Sequence, residues 1–157
     1  MAALQFGIEI AASADRVWAF FLPQRMPLWY GPEMDIHLEV SGGAGEFAVG
    51  QKVRISGRLG RREVSLTAVV TGYERLRRLE WRFSDRYGVR GRQRWMLYPV
   101  TAETTRLHME DVYTLPGRLG WIADLLLVRW SVRSRDRRWL SNLRRLAERV
   151  PTRGSAR

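Results

Sequence analysis

No cysteine occurs in the 157 residues, and that absence removes disulfides, thiolate catalysis and cysteine-ligated metal together. Histidine is nearly as scarce. The two present, His37 and His108, lie far apart without a matching carboxylate pattern, so neither a metal nor a cofactor is expected, and no Ser, His and acid arrangement can be assembled. Lysine is almost missing as well: Lys52 is the one lysine among 27 basic residues, which face 16 acids and leave a net charge of +11. Long apolar runs are lacking too. Met1 to Ala12 has no positively charged start and carries Glu9 within its apolar stretch, so neither a signal peptide nor a membrane span is expected, and a cytoplasmic chain follows. With no linker, repeat or low-complexity segment, residues 1–150 read as one domain and 151–157 as a flexible tail.

Glycine and proline are absent from Trp121 to Val150, thirty residues that as one helix would run roughly 45 Å. Ile122, Leu125, Val128, Val132, Trp139, Leu143, Leu146 and Val150 step by threes and fours, with Asp136 interrupting, so one long face is meant for burial. The same segment holds eight arginines against Asp124, Asp136 and Glu148. Its outer face is therefore basic, which either draws an anionic lipid or nucleic acid or is simply a solvated face in an arginine-biased chain.

Upstream the pattern is mostly β. Leu4 to Ile10 alternates as a strand, and Ser13 caps a helix from Ala14 to Phe21 with Asp15 in its first turn. Pro23 stops it, and a further helical turn fits Gln24 to Trp29 before Gly31-Pro32. Ile36, Leu38 and Val40 alternate with Asp35, His37 and Glu39. A glycine-rich turn then leads into Lys52 to Gly57. Gly45 to Lys52 nearly spells a phosphate-binding loop, but Gln51 intervenes before Lys52 and Val53 follows it, so a hairpin is the reading. Further strands fit Glu63 to Tyr73, Arg78 to Ser84, Gly88 to Val100 and Thr104 to Thr114, and Leu115-Pro116-Gly117 closes the series. The order β-α-α-β6-α predicts an α+β fold in which about seven strands form a curved antiparallel sheet around the long C-terminal helix.

Ile8 to Ile10 with the following Ala12-Ser13-Ala14-Asp15-Arg16-Val17-Trp18-Ala19-Phe20-Phe21, then Met26-Pro27-Leu28-Trp29, resembles the opening of the START-like (SRPBCC) superfamily, particularly its polyketide cyclase/dehydrase and lipid-transport branch. Val49-Gly50, Arg78-Leu79-Glu80-Trp81-Arg82, Thr105-Arg106-Leu107, Tyr113-Thr114-Leu115-Pro116-Gly117 and the Leu- and Arg-rich terminal helix continue the likeness over roughly residues 5 to 150. The resemblance implies a Bet v 1-like helix-grip fold with an elongated apolar cavity between sheet and helix. It implies no single reaction.

If the apolar set points inward, alternation puts Leu79, Trp81 and Phe83, then Val89, Gly91, Gln93, Trp95 and Leu97, then Leu107, Met109, Asp111 and Tyr113 on the concave face. Trp18, Phe21, Trp29 and Tyr30 would close one end of the cavity, with Leu126 and Trp130 approaching from the long helix. An acid among apolar neighbours is costly unless paired or protonated. Asp111 is thus a candidate acceptor or general acid/base for an oxygenated ligand, with Tyr113 and Gln93 orienting it; alternatively it lies near the mouth, bonded to Arg133 or a backbone amide, or outside through a bulge. The tryptophans equally fit a solid core. Three functions are open: binding or carrying a hydrophobic lipid, quinone or polyketide-like molecule; a cyclase/dehydratase-type enzyme; and an arginine-rich module for RNA or anionic surfaces. The expected partner is a hydrophobic small molecule, bound by a monomer or homodimer; nucleic acid is not expected, and peripheral membrane contact stays open.

Overall fold

The computed structural model describes residues 1–43, 45–117 and 129–149. Seven strands form one antiparallel sheet: β1 (Ala2–Ile10), β2 (His37–Val40), β3 (Lys52–Leu59), β4 (Arg62–Glu74), β5 (Arg78–Asp85), β6 (Arg90–Thr101) and β7 (Thr104–Thr114). Their order, β1-β7-β6-β5-β4-β3-β2, is a six-strand meander with the first strand added beside the last. From β3 onward, short turns between successive strands leave no other pairing so cheap in chain entropy. Register shifts at Val70/Gly72 on β4 and at Pro99/Thr101 on β6 are bulges that strengthen the bend of the sheet.

Helix α1 (Ala14–Trp18) starts where Ser13 Oγ accepts the Arg16 amide at 3.3 Å, and it tightens into a 3-10 turn over Ala19–Phe21. Two more 3-10 turns follow, Met26–Leu28 and Pro32–Met34; the second, absent from the sequence reading, has proline at its first turn, where a missing N–H costs nothing. The long helix α2 is described over Arg129–Glu148. Its expected beginning, with Leu126, and the tail 151–157 lie outside the described residues.

Val132, Asp136, Trp139, Leu140, Leu143, Leu146 and Ala147 form the face of α2 that packs on the core. Asp136 is therefore part of the buried stripe rather than a break in it. The far end of the helix is tied down where Glu148 Oε1 accepts the Ala11 amide at 2.9 Å. Alternation places the inward residues of β5 to β7 as read from the sequence: Leu79, Trp81, Gln93, Trp95, Leu97, Leu107, Met109, Asp111 and Tyr113 are all buried. This is the helix-grip architecture.

A cleft at the start of the long helix

Among the described residues, much of the space between sheet and helix is occupied by packed rings. Trp81 and Trp95 lie edge to face at 4.9 Å, Trp95 meets Phe21, Trp29 and Tyr30 at 6.0–6.3 Å, Trp18 stacks on Phe21 at 5.3 Å, and Tyr30 lies 4.3 Å from Trp139. Trp29 Nε1 donates to the Phe20 carbonyl at 2.7 Å, which fixes the entry of the short turns into this cluster. Trp18, Phe21, Trp29, Trp81, Trp95, Leu97, Met109 and Tyr113, taken from the sequence as cavity lining, belong instead to this packed core. Large flat rings meeting at steep angles leave no room between them, so facing inward did not mean facing a void.

The open space lies further along, between the described start of α2 and the β3–β4 end of the sheet. There a cleft of about 490 Å³ is lined among the described residues by an apolar wall of Met34, Ile36, Ile55, Val64, Leu66 and Phe83. Ser131, Ser134, Arg135, Arg138 and Trp139 form the helix wall, Tyr30 and Gln93 line it as well, and Glu33, Leu59 and Trp130 complete the lining. Of the residues read from the sequence, this cleft gathers Tyr30, Phe83, Gln93 and Trp130. Trp130 does not reach inward; 76% of its surface is exposed. Two glycines make the shape. A Cβ on Gly57 would sit 2.7 Å from the Met34 carbonyl oxygen, and one on Gly91 would sit 2.7 Å from Phe83 Cε1, so both close approaches require the bare backbone.

Beneath the polar side runs a continuous buried network. Tyr30 Oη and Trp81 Nε1 both donate to Gln93 Oε1, at 2.8 and 3.1 Å, which turns the Gln93 amide so that Nε2 donates to Asp111 Oδ2 at 3.2 Å. The same Asp111 oxygen accepts from Arg135 Nη2 at 3.2 Å, while Arg135 Nε and Nη2 chelate Asp136 Oδ1 at 3.0 and 2.9 Å. The partner of Asp111 is thus Arg135, not Arg133, because residue 135 lies beside the buried Asp136 on the inner side of α2. The Arg135 guanidinium also lies over the Trp139 ring at 4.6 Å, and Trp139 Nε1 donates to Glu33 Oε1 at 2.8 Å.

Two acids therefore share one arginine. Among the described residues Asp111 Oδ1 and Asp136 Oδ2 are buried without a hydrogen-bond partner, and the neighbouring Asp136 favours the protonated form of Asp111. Burial, then the adjacent Asp136, push the Asp111 carboxyl up to about 7, against the pull of Arg135. Burial would lower Arg135, but the Asp136 and Asp111 carboxylates hold it above the ordinary arginine value, and burial drives the Tyr30 phenol upward. The cluster is neutral while it keeps that proton, and about a third of the Arg135 side chain stays open to the cleft.

A folded state that holds a proton the unfolded chain releases loses stability as pH rises, here from near 4 to about 7, and levels off above. Asp111→Asn imitates the protonated acid, its amide donating to Asp136. Relative to the parent it is expected to be nearly neutral at about pH 5 and stabilised by about 1–3 kcal/mol at about pH 8, read by urea unfolding at both. An unchanged difference between the two pH values would remove the shared proton.

A curved sheet closed over a helix, with an amphipathic cleft at one end, is a helix-grip shell with room for a small molecule. The chain matches the family "Polyketide cyclase / dehydrase and lipid transport" over residues 1–148 and belongs to it. No curated protein matches it. Among solved structures it is similar to a Chromobacterium violaceum protein (TM-score 0.72, 14% identity, covering 96% of this chain and 100% of that one). It also resembles DynU16, a protein of the dynemicin biosynthetic locus (TM-score 0.62, 24% identity, 93% and 47% covered). A third is Thalictrum flavum norcoclaurine synthase, solved with dopamine and hydroxybenzaldehyde (TM-score 0.64, 14% identity, 92% and 85% covered). Identities this low establish the shared fold alone. No described helix is long and apolar enough to cross a membrane.

As site residues, Arg135, Asp136, Trp139 and the β3–β4 wall were not singled out from the sequence, although Trp139 and Asp136 were placed on the helix face meant for burial. Asp136, as the polar residue inside an apolar stripe, was the signal for the first two; Val53, Ile55, Gly57 and Leu59 alternate on β3 as plainly as the strands that were sorted into faces.

Proposed function

We propose that the protein binds or carries one apolar, oxygen-bearing small molecule, of the lipid or polyketide kind, in this cleft. The observation behind the reading is the opposition of two walls: six apolar side chains from the sheet and its leading turn face Ser131, Ser134, Arg135 and Arg138. The volume suits a small-molecule ligand, and few polar groups converge on one side to orient it. Arg135, already neutralised from behind, would donate to a ligand carbonyl or phenol oxygen without leaving an unpaired buried charge.

A cyclase/dehydratase-type enzyme is the second reading, favoured by the retained proton in the Asp111–Asp136 pair beside Arg135. In it Tyr30 and Arg135 touch the substrate oxygen, and Asp111 and Gln93 act through them as positioning residues.

The test is a screen of aromatic polyketides, quinones and fatty acids by thermal shift. A true ligand raises Tm in step with its concentration. Leu66→Trp, which adds a ring where the cleft is open, is expected to abolish that rise while changing the unliganded Tm by no more than a few degrees. A ligand that still binds Leu66→Trp occupies some other place, and a parent that responds to no compound class refutes the reading. Turnover into a cyclised or dehydrated product, lost in Arg135→Gln, would select the enzyme over the carrier.

A further inference from the structure

The mouth of the cleft exposes side chains that a purely water-facing rim has no use for. Trp130 is 76% exposed and Leu59 61% exposed, yet both belong to the cleft lining. They come from different elements, Trp130 from the described start of α2 and Leu59 from the end of β3, so they bracket the opening. Around them are cations. Leu59 pairs in register with Arg62, so the two share a face, and Arg61 lies in the turn between. On the helix Arg129 adjoins Trp130, Arg133 sits one turn on, and Arg138 lines the cleft itself. None of these five is ion-paired among the described residues.

The convex face of the sheet also carries arginines without ion pairs among the described residues, Arg82 opposite Val69 and Arg106 opposite Tyr98, but its middle is built differently. Arg94 is bound to Glu80 at 2.6 Å and Arg92 to Glu110 at 3.2 Å, so its middle is neutralised by cross-strand pairs. Unpaired arginines together with exposed aromatic and aliphatic side chains occur at the cleft mouth.

We infer that this rim docks on an anionic lipid bilayer, with Trp130 and Leu59 entering the interface and Arg61, Arg62, Arg129 and Arg133 drawn to the headgroup charge. A tryptophan gains from the boundary between headgroup and acyl chain, and each arginine near an anionic surface adds its own attraction. A nucleic acid would reward the cations and a stacking ring but leave Leu59 in water. The geometry would open the cleft toward the bilayer, so an apolar ligand could pass without crossing bulk solvent.

The experiment is sedimentation of the full chain with vesicles of phosphatidylcholine alone and of phosphatidylcholine mixed with phosphatidylglycerol, with brominated acyl chains in a second set. Binding is expected to the mixed vesicles and not to pure phosphatidylcholine, with bromine quenching a fraction of tryptophan emission that is missing in Trp130→Phe. Arg61→Gln/Arg62→Gln should weaken binding roughly 30-fold, and Leu59→Ser/Trp130→Ser about tenfold or more. Arg82→Gln/Arg90→Gln, the same charge change on the convex face, should leave most of the affinity. All these side chains are at the surface, and Tm checks that each variant folds. If the convex-face variant loses as much as the rim variants, or if an RNA or DNA duplex binds more tightly than the vesicles and through the same rim residues, the proposal fails. No cleft ligand is present in the assay, so failure here leaves the ligand-binding reading untouched, and the thermal-shift screen tests that separately.

Discussion

Trp95→Ala is expected to cost about 3–5 kcal/mol, a large part of the stability of an ordinary domain of this size. Trp95 is wholly buried and stands at the centre of the ring cluster, against Phe21, Trp29, Tyr30 and Trp81 at centroid distances of 4.9–6.3 Å. Its neighbours come from the first 3-10 turn, the segment beyond it and the adjacent strand, so the cavity left by truncation cannot close by moving one element. Trp95→Phe should be far milder, within about 1–2 kcal/mol, because it keeps most of the ring area and removes an indole N–H that is buried without a partner among the described residues. Guanidinium unfolding of the two variants measures the contrast. Near-equal losses would mean that the Trp95 N–H is satisfied after all, and a small loss for both would mean that the interior is not the solid cluster described.

That cluster also explains why the fold was legible in the sequence while the site was only half so. Alternation on β5, β6 and β7 depends on the backbone alone, so the inward set emerged correctly from Leu79 to Tyr113. Whether an inward residue packs or lines a cleft depends on what lies opposite, and for Trp81, Trp95 and Met109 the opposite side is filled by Trp29, Tyr30 and the helix. The open space arises where the partners are set apart, the serines of α2 lying across the cleft from Leu66, while the bare backbones of Gly57 and Gly91 let Met34 and Phe83 lie close against the sheet. No local pattern announces that juxtaposition of β3, β4 and a helix seventy residues later. Asp111 shows the same division. Its burial and its need for a partner followed from the strand pattern, but the partner came from Arg135, whose side chain is directed by the burial of its neighbour Asp136.

Arg135→Met is expected to destabilise the protein by about 3–5 kcal/mol near neutral pH, because it leaves Asp111 and Asp136 buried with no cation between them. Arg135 Nη2 reaches both carboxylates and Nε holds Asp136 a second time, a fork that the single ammonium of Arg135→Lys cannot reproduce, so the lysine variant should recover little. The pH dependence carries the sign. The guanidinium is what pulls the raised Asp111 carboxyl downward, so without it Asp111 holds its proton more tightly in the folded state than in the unfolded chain, and the penalty grows as pH climbs from near 4 through neutrality. At about pH 4 the variant should approach the parent. Neutralising the acids too, as Arg135→Met/Asp111→Asn/Asp136→Asn, removes the charges that needed compensation and should restore most of the lost stability and flatten its pH profile. Urea unfolding at several pH values distinguishes this from a packing role. If the triple variant is as unstable as Arg135→Met, the arginine works through its stacking on Trp139, and the charge balance under the cleft is not what holds that end of α2 to the sheet.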